Sequence, residues 1–210
     1  MFQQRNLLRL PLLGLLSILV LWACSEGNDD RPVAVDPPSV ISARVASDAD
    51  LLSGPLARGR AGDFVLENEH LRVIIQKGGR QWLSIGTFGG NIIDVSRKDS
   101  AGGLLPDHME EFVIGLNIVN TANYTDVRII NDGSDNQAAV ICATGPDDLL
   151  ELANASSAIL EFGVPLPPSA DDQDLSVEIE TCYSLEAGAR HVILDTTFKN
   201  LGLDEIPVYM

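Results

Sequence analysis

Positive charge is scarce in this 210-residue chain. Lysine and arginine together number 14 against 30 aspartates and glutamates, and the formal net charge is −16. A surface that acidic repels phosphate backbones and anionic headgroups, which excludes nucleic acid as a partner. Histidine is scarcer still: His70, His108 and His191 lie far apart, with no His-x-His pair from which a multi-metal centre could be built. His70 and His191 read as surface or strand residues. Aromatic residues make up 5% of the chain, so few stacking platforms for a sugar exist beyond Trp82, Phe88 and Tyr124. Gly86-Thr87-Phe88-Gly89-Gly90 lacks the Gly-Lys-Ser/Thr and the amphipathic helix of a phosphate loop. Neither Ser84 nor Ser156 sits in a nucleophile elbow. The sequence thus carries no catalytic constellation and calls for no cofactor.

A hydrophobic run long enough to stay in a bilayer is missing too. Leu10–Ala23 is fourteen residues, interrupted by Pro11 and Gly14, whereas a spanning helix needs roughly 20. It follows Arg5 and Arg9 with no acidic residue before it, the order of an export signal. The run ends Leu21-Trp22-Ala23-Cys24, which resembles the lipobox of bacterial lipoproteins, with the bulky Trp22 as its one departure. The resemblance implies cleavage before Cys24 and acylation there by a thioether diacylglycerol and an amide-linked fatty acid such as palmitate. Two such chains hold stably, so the lipid bilayer is an expected partner. A plain secretory signal that happens to contain Cys24 is the alternative. Loss of Arg5 and Arg9 with the signal takes the net charge from −16 to −18. Ser25 after the cysteine, rather than Asp, resembles lipoproteins sorted to an outer membrane, facing periplasm or exterior. Residues 25–39, SEGNDDRPVAVDPPS, are too polar to repay the entropy of ordering them. The expected organisation is a signal over 1–23, a polar tether over 24–45 and a folded domain over 46–210.

With Cys24 acylated, Cys142 and Cys182 remain, an even pair in a compartment where disulfides persist. A bridge and a pair of buried free thiols both fit the sequence.

The folded region reads as strands. Phe64–Leu66 and Leu71–Ile75 flank the turn-compatible Glu67–His70, a hairpin pattern. Asn91–Val95 follows a glycine-rich patch as another short strand. Asp126–Ile130 and Gln137–Ala143 flank Asn131-Asp132-Gly133-Ser134-Asp135, whose Asx side chains and glycine suit a second hairpin turn. Leu175–Tyr183 alternates apolar with polar residues, Val192–Phe198 does the same, and Gly188 between them supplies the turn of a third hairpin. Only Asp147–Ala158 has helix-friendly composition, with Asp147 or Asp148 as its cap. Many short strands joined by polar turns predict a mainly β fold, an antiparallel β-sandwich. The apolar Ile206–Met210 has no polar tail after it, so the sandwich is expected to be incomplete at its C-terminus and the protein to continue.

Gly62-Asp63-Phe64-Val65-Leu66-Glu67-Asn68, Leu71–Gln76 and Phe88-Gly89-Gly90-Asn91-Ile92-Ile93-Asp94 together resemble an N-terminal region of large secreted bacterial lipoproteins. Some of these carry a downstream metallohydrolase domain of the polymerase-and-histidinol-phosphatase (PHP) type. The similarity continues through Glu110–Asn120, Asn131–Asp135 and Ala143–Asp147, covering about Arg58 to Asp148. The resemblance implies a β-rich accessory domain, comparable to the sandwich of mutarotase-type carbohydrate-active proteins. No catalytic residue carries over, since the metal ligands belong to the downstream domain.

One cluster gathers chemistry-bearing residues. Asp107, His108, Glu110 and Glu111 are types that could hold a divalent cation or exchange protons, although their spacing matches no metal motif. A solvated acidic loop is the simpler reading. Asp132, Ser134 and Asn136 stand two apart like the start of a calcium loop, but Gln137 replaces its glycine and the distal glutamate is missing. Three functions follow as expectations: a non-catalytic module binding a glycan or protein, or acting as a spacer; the N-terminal part of a cell-surface metal-dependent hydrolase; or a cation site around His108.

Overall fold

The structure is a computed structural model, and it describes residues 41–79, 88–116, 120–150, 175–203 and 205–206. Cys24 and the whole signal, most of the expected tether, Trp82, Ser84, Gly86, Ser156 and residues 207–210 lie outside them.

The first sheet contains Ser42–Val45 (β1), Phe64–Glu67 (β2), Leu71–Ile75 (β3) and Ile92–Arg97 (β4) in chain order, each antiparallel to its neighbour. The second contains Gly115–Leu116 (β5), Asn120–Ala122 (β6), Asp126–Asn131 (β7), Ala139–Leu149 (β8), Val177–Leu185 (β9) and Ile193–Asn200 (β10). Its order is β10-β9-β8-β6-β5, and β7 also pairs with β8. β8 is long enough to pair with β7 through Thr144 and then with β6 from Asp147. The fold is mainly β and sandwich-like, as expected, and the three expected hairpins form as β2–β3, β7–β8 and β9–β10.

One core lies between the sheets. Leu66, Leu71, Val73 and Ile75 meet Ile141, Ala143, Ile179 and Tyr183 across it. Alternation in β9 follows directly, because its odd-numbered residues face this core and its even-numbered ones face outward. The run Leu71-Arg72-Val73-Ile74-Ile75 does not alternate cleanly because the first sheet is covered on its other face too. There Val65, Ile74 and Ile93 pack under Ala46, Leu51, Leu52 and Ala57 of the loop between β1 and β2. A bulge sets Ile74 opposite Asp94 and Ile75 opposite Ile92, leaving Ile93 as the extra residue. Ile93 and Asp94 consequently both serve that second, loop-covered face.

Two expectations need correction. The tether was expected through residue 45, yet Ser42–Val45 is a strand, and Ala43 belongs to the main core. The helix expected from Asp147 is not there at its start: Asp147, Asp148 and Leu149 end β8, and residues 151–158 lie outside the described ones. The carboxylate of Asp147 does accept backbone N–H groups as a helix cap would. Its donors are Leu175 (2.6 Å) and Val177 (2.8 Å), at the entry to β9.

Candidate functional site: a cleft beside Asn68

Glu67–His70 closes the β2–β3 hairpin around Asn68, which is fully buried. Asn68 Oδ1 accepts the backbone N–H groups of His70 (2.8 Å) and Leu71 (2.9 Å), the local chemistry of an Asx turn. Its Nδ2 donates to the carbonyls of Glu186 and Ala189, both at 2.8 Å, in the turn between β9 and β10. Both donors and both acceptor positions of the amide are used. One side chain therefore fixes a turn of the first sheet to a turn of the second.

Where the two turns meet the segment that follows β4, a cleft of about 670 Å³ opens. Glu69, His70 and Leu71 line it from the first turn, Arg97 and Lys98 from the end of β4, and Arg190 from the β9–β10 turn. Lys98 is engaged: its Nζ reaches Glu67 Oε1 (2.6 Å) and the Asn68 carbonyl (2.8 Å). Arg97 and Arg190 are exposed and make no ion pair among the described residues. Glu69 Oε2 is buried without a hydrogen-bond partner. Asp99, at the rim, is tied to its own loop by the N–H groups of Ala101 and Gly103, both at 2.8 Å.

Beneath the cleft lies a charge cluster on the outer face of the first sheet. Glu67 accepts from Arg72 (2.8 Å) and Lys98 on one oxygen and from Arg44 (2.6 Å) on the other. Arg44 also holds Asp50 at 2.6 Å. Burial pushes the Glu67 carboxyl up, and hydrogen bonds from Lys98, Arg72 and Arg44 more than reverse this, leaving it below the usual carboxylate range.

The four residues of the expected cation cluster do not converge. Asp107 is buried and turned inward, where Oδ1 accepts the N–H groups of Val95 (2.9 Å) and Met109 (3.3 Å). His108 and Glu110 are exposed, and Glu111 receives the Asn91 side-chain amide at 3.1 Å. Among the described residues no group of carboxylate, histidine and cysteine side chains is arranged to hold a metal. Asp132 Oδ1 accepts Ser134 N–H at 2.9 Å and Asn131 Oδ1 accepts Gly133 N–H at 2.8 Å, which are turn bonds rather than cation ligation. Cys142 and Cys182 stand opposite one another on β8 and β9 and are bridged, Sγ to Sγ.

Comparison of the chain with models of known families, with characterised proteins and with solved structures finds no match. The meaning of its residues rests on the geometry.

Buried carboxylates gave no signal in the sequence, and here they act as loop anchors. Asp94 accepts the N–H groups of Arg58 (2.8 Å) and Gly59 (2.7 Å), pinning the loop over the second face. Gly59 must be glycine for this, because a Cβ would stand 2.7 Å from Asp94 Oδ2. Asp63 accepts Arg60 N–H at 2.8 Å and Lys77 N–H at 2.9 Å. Asp63, Asn68, Asn91 and Asp94 all lie within the motifs that carry the lipoprotein resemblance, and all are buried. The motif residues build scaffold, whereas Arg97 and Arg190, which line the cleft, lie outside those motifs and far apart in sequence. The docking of the β9–β10 turn beside the β2–β3 turn sets Arg190 and Arg97 on one cleft.

Proposed function

We propose that this protein is an exported, lipid-anchored lipoprotein whose β-rich domain is a non-catalytic binding module. The cleft beside Asn68 takes an anionic, hydroxyl-bearing ligand, such as a uronic acid unit of a glycan. The observation that carries the reading is that Arg97 at the end of β4 and Arg190 in the β9–β10 turn, neither ion-paired among the described residues, line one cleft of a chain whose net charge is −16. Guanidinium groups recognise carboxylates through paired, charge-assisted hydrogen bonds. The orphaned oxygen of Glu69 suits a ligand hydroxyl, and the exposed Leu105 gives the cleft apolar surface for a ring.

Calorimetric titration of the intact protein with galacturonate oligosaccharides, beside neutral oligosaccharides of equal length, tests this. Binding of the acidic series alone is expected, weakened roughly tenfold or more by Arg97→Ala and by Arg190→Ala. Equal binding of the neutral series, or binding of neither, overturns the ligand class. Anchoring is tested separately by the intact mass of the protein from native membranes, where acylation of Cys24 adds the mass of its lipid.

A second reading is an accessory domain of a larger metal-dependent hydrolase. It is favoured by the resemblance over Arg58–Asp148, whose motif residues are scaffold and would serve any attached catalytic domain. The gene beyond codon 210 decides it: a downstream His-x-His supports the reading, and a stop codon in an intact locus removes it.

A further inference from the structure

The cleft beside Asn68 holds unmatched charge of both signs. Glu69 lines it, half-buried, and among the described residues its carboxylate accepts no hydrogen bond and joins no ion pair. Its Oε2 is shut off from solvent as well. Oε1 lies 3.8 Å from the place that a Cβ on Gly188 would take, so the carboxylate reaches across to the β9–β10 turn that also carries Arg190. Even so, it pairs with neither Arg190 nor Arg97, the two guanidiniums that line the same cleft.

The other charges here are engaged. Lys98 is held by Glu67 and by the Asn68 carbonyl. Asp99, at the rim, receives the N–H groups of Ala101 and Gly103 from its own loop. Among the described residues that line the cleft, Glu69 is thus the carboxylate left without a donor.

Opposite charges that share a cleft without touching call for a ligand that carries both signs. A plain sugar acid satisfies the guanidiniums, but it brings a second negative charge toward Glu69 and offers that residue only a neutral hydroxyl. An ammonium group offers a charge-assisted bond instead, about twice as strong as a neutral one. It also cancels the charge of a carboxylate that water reaches only on one side. At about 670 Å³ the cleft has the size of a small-molecule site, so one ligand can span both signs.

We infer that the cleft takes a zwitterionic ligand, a sugar acid with a free amino group, whose carboxylate lies on Arg97 and Arg190 and whose ammonium lies on Glu69. The inference rests on the anionic-sugar reading proposed above and narrows it. Glu69 is the residue that selects the aminated acid over the plain one.

Calorimetry of the intact protein near neutral pH compares trisaccharides of galacturonate, of galactosaminuronate and of N-acetylgalactosaminuronate, the last of which keeps the nitrogen and removes its charge. The free amine is expected to bind roughly tenfold or more tightly than either of the others. Glu69→Gln keeps the size of the side chain, removes its charge and is expected to abolish that preference. Asp99→Asn is expected to leave the preference intact, because the Asp99 charge is already met by its loop. Arg97→Ala is expected to weaken all three ligands by a similar factor, so that their ratios hold. Equal affinity for the three ligands, a preference that survives Glu69→Gln, or one that disappears with Asp99→Asn overturns the inference and leaves the anionic-sugar reading standing. If none of the three binds, that reading falls and the inference falls with it.

Discussion

Tyr183, in the middle of the second sheet, donates its hydroxyl to the carbonyl of Gly90 at 3.0 Å, although the two residues are 93 positions apart. Both groups are buried, so the bond ties β9 to the turn that feeds β4 of the other sheet. Gly90 has φ of +85°, and a Cβ there would lie 2.5 Å from Tyr124, so only glycine brings the carbonyl to this place. Tyr183→Phe leaves a buried carbonyl unsatisfied and is expected to cost about 1–2 kcal/mol in urea unfolding. Gly90→Ala adds strain and a steric clash to the same joint and is expected to cost more than Tyr183→Phe in the same titration.

Acid should loosen the first sheet. Burial pushes Asp50 up, but hydrogen bonds from the Ser47 side chain and backbone and from Arg44 bring it down to about 2. Glu67 is also held below its ordinary value. Folded values below unfolded ones, near 4 for carboxyls, give stability that is full at about pH 5 and is lost as pH falls toward 2. Asp94 has the opposite sign. Burial raises it, the Arg58 and Gly59 N–H groups partly offset this, and the charges of Asp107 and Asp63 raise it further. Its penalty is present above its folded value and disappears as pH falls below the unfolded one. Glu67→Gln leaves Arg44, Arg72 and Lys98 without their shared anion, at an expected cost of about 2–3 kcal/mol at pH 7. Denaturant unfolding across pH should show that difference shrinking as acid protonates the wild-type Glu67 carboxylate. A difference independent of pH would assign the cost to packing instead.

The bridge between Cys142 and Cys182 closes a loop with a sequence separation of 40. Cross-linking residues that far apart restricts the unfolded chain by about 4 kcal/mol in the chain-entropy account. Replacing both cysteines with serine is expected to lower the guanidinium midpoint accordingly and to leave the far-ultraviolet spectrum unchanged, since seven further register pairs hold β8 to β9. Thiol labelling of the unreduced protein should find neither residue reactive.

What could be read from the sequence was set by how locally each element is determined. β9 alternates because one of its faces meets the core and the other meets water, so its period is visible in Leu175–Tyr183 itself. The cover over Val65, Ile74 and Ile93 depends on a loop 8 to 47 residues away folding back, and nothing in Leu71–Ile75 announces it beyond the lack of alternation. Asp147 misled because a carboxylate that receives backbone N–H groups has one composition signal whether it caps a helix or the entry to a strand. In the acidic cluster, Asp107 and His108 are adjacent in sequence but part company on folding, one buried and one exposed. The cleft was invisible for the converse reason: Arg97 and Arg190 are far apart in sequence and line one cleft only in the folded chain, where the β9–β10 turn docks on the β2–β3 turn.

That joint can be taken apart one half at a time. Asn68→Asp keeps an oxygen for the N–H groups of His70 and Leu71, but turns its other oxygen on the carbonyls of Glu186 and Ala189 in place of two donors. Asn68→Ala removes both sets of bonds. The aspartate is therefore expected to be the more damaging change, at about 3–4 kcal/mol against about 2–3 for alanine, because repulsion between buried oxygens adds to the lost bonds. Hydrogen exchange separates the two effects. In the aspartate variant the amides of His70 and Leu71 should stay protected while the β9–β10 turn loosens; in the alanine variant both regions should exchange faster. Loosening the turn moves Arg190 away from Arg97, so both variants should weaken binding of the acidic oligosaccharide as a missing arginine does, even though Asn68 itself does not line the cleft.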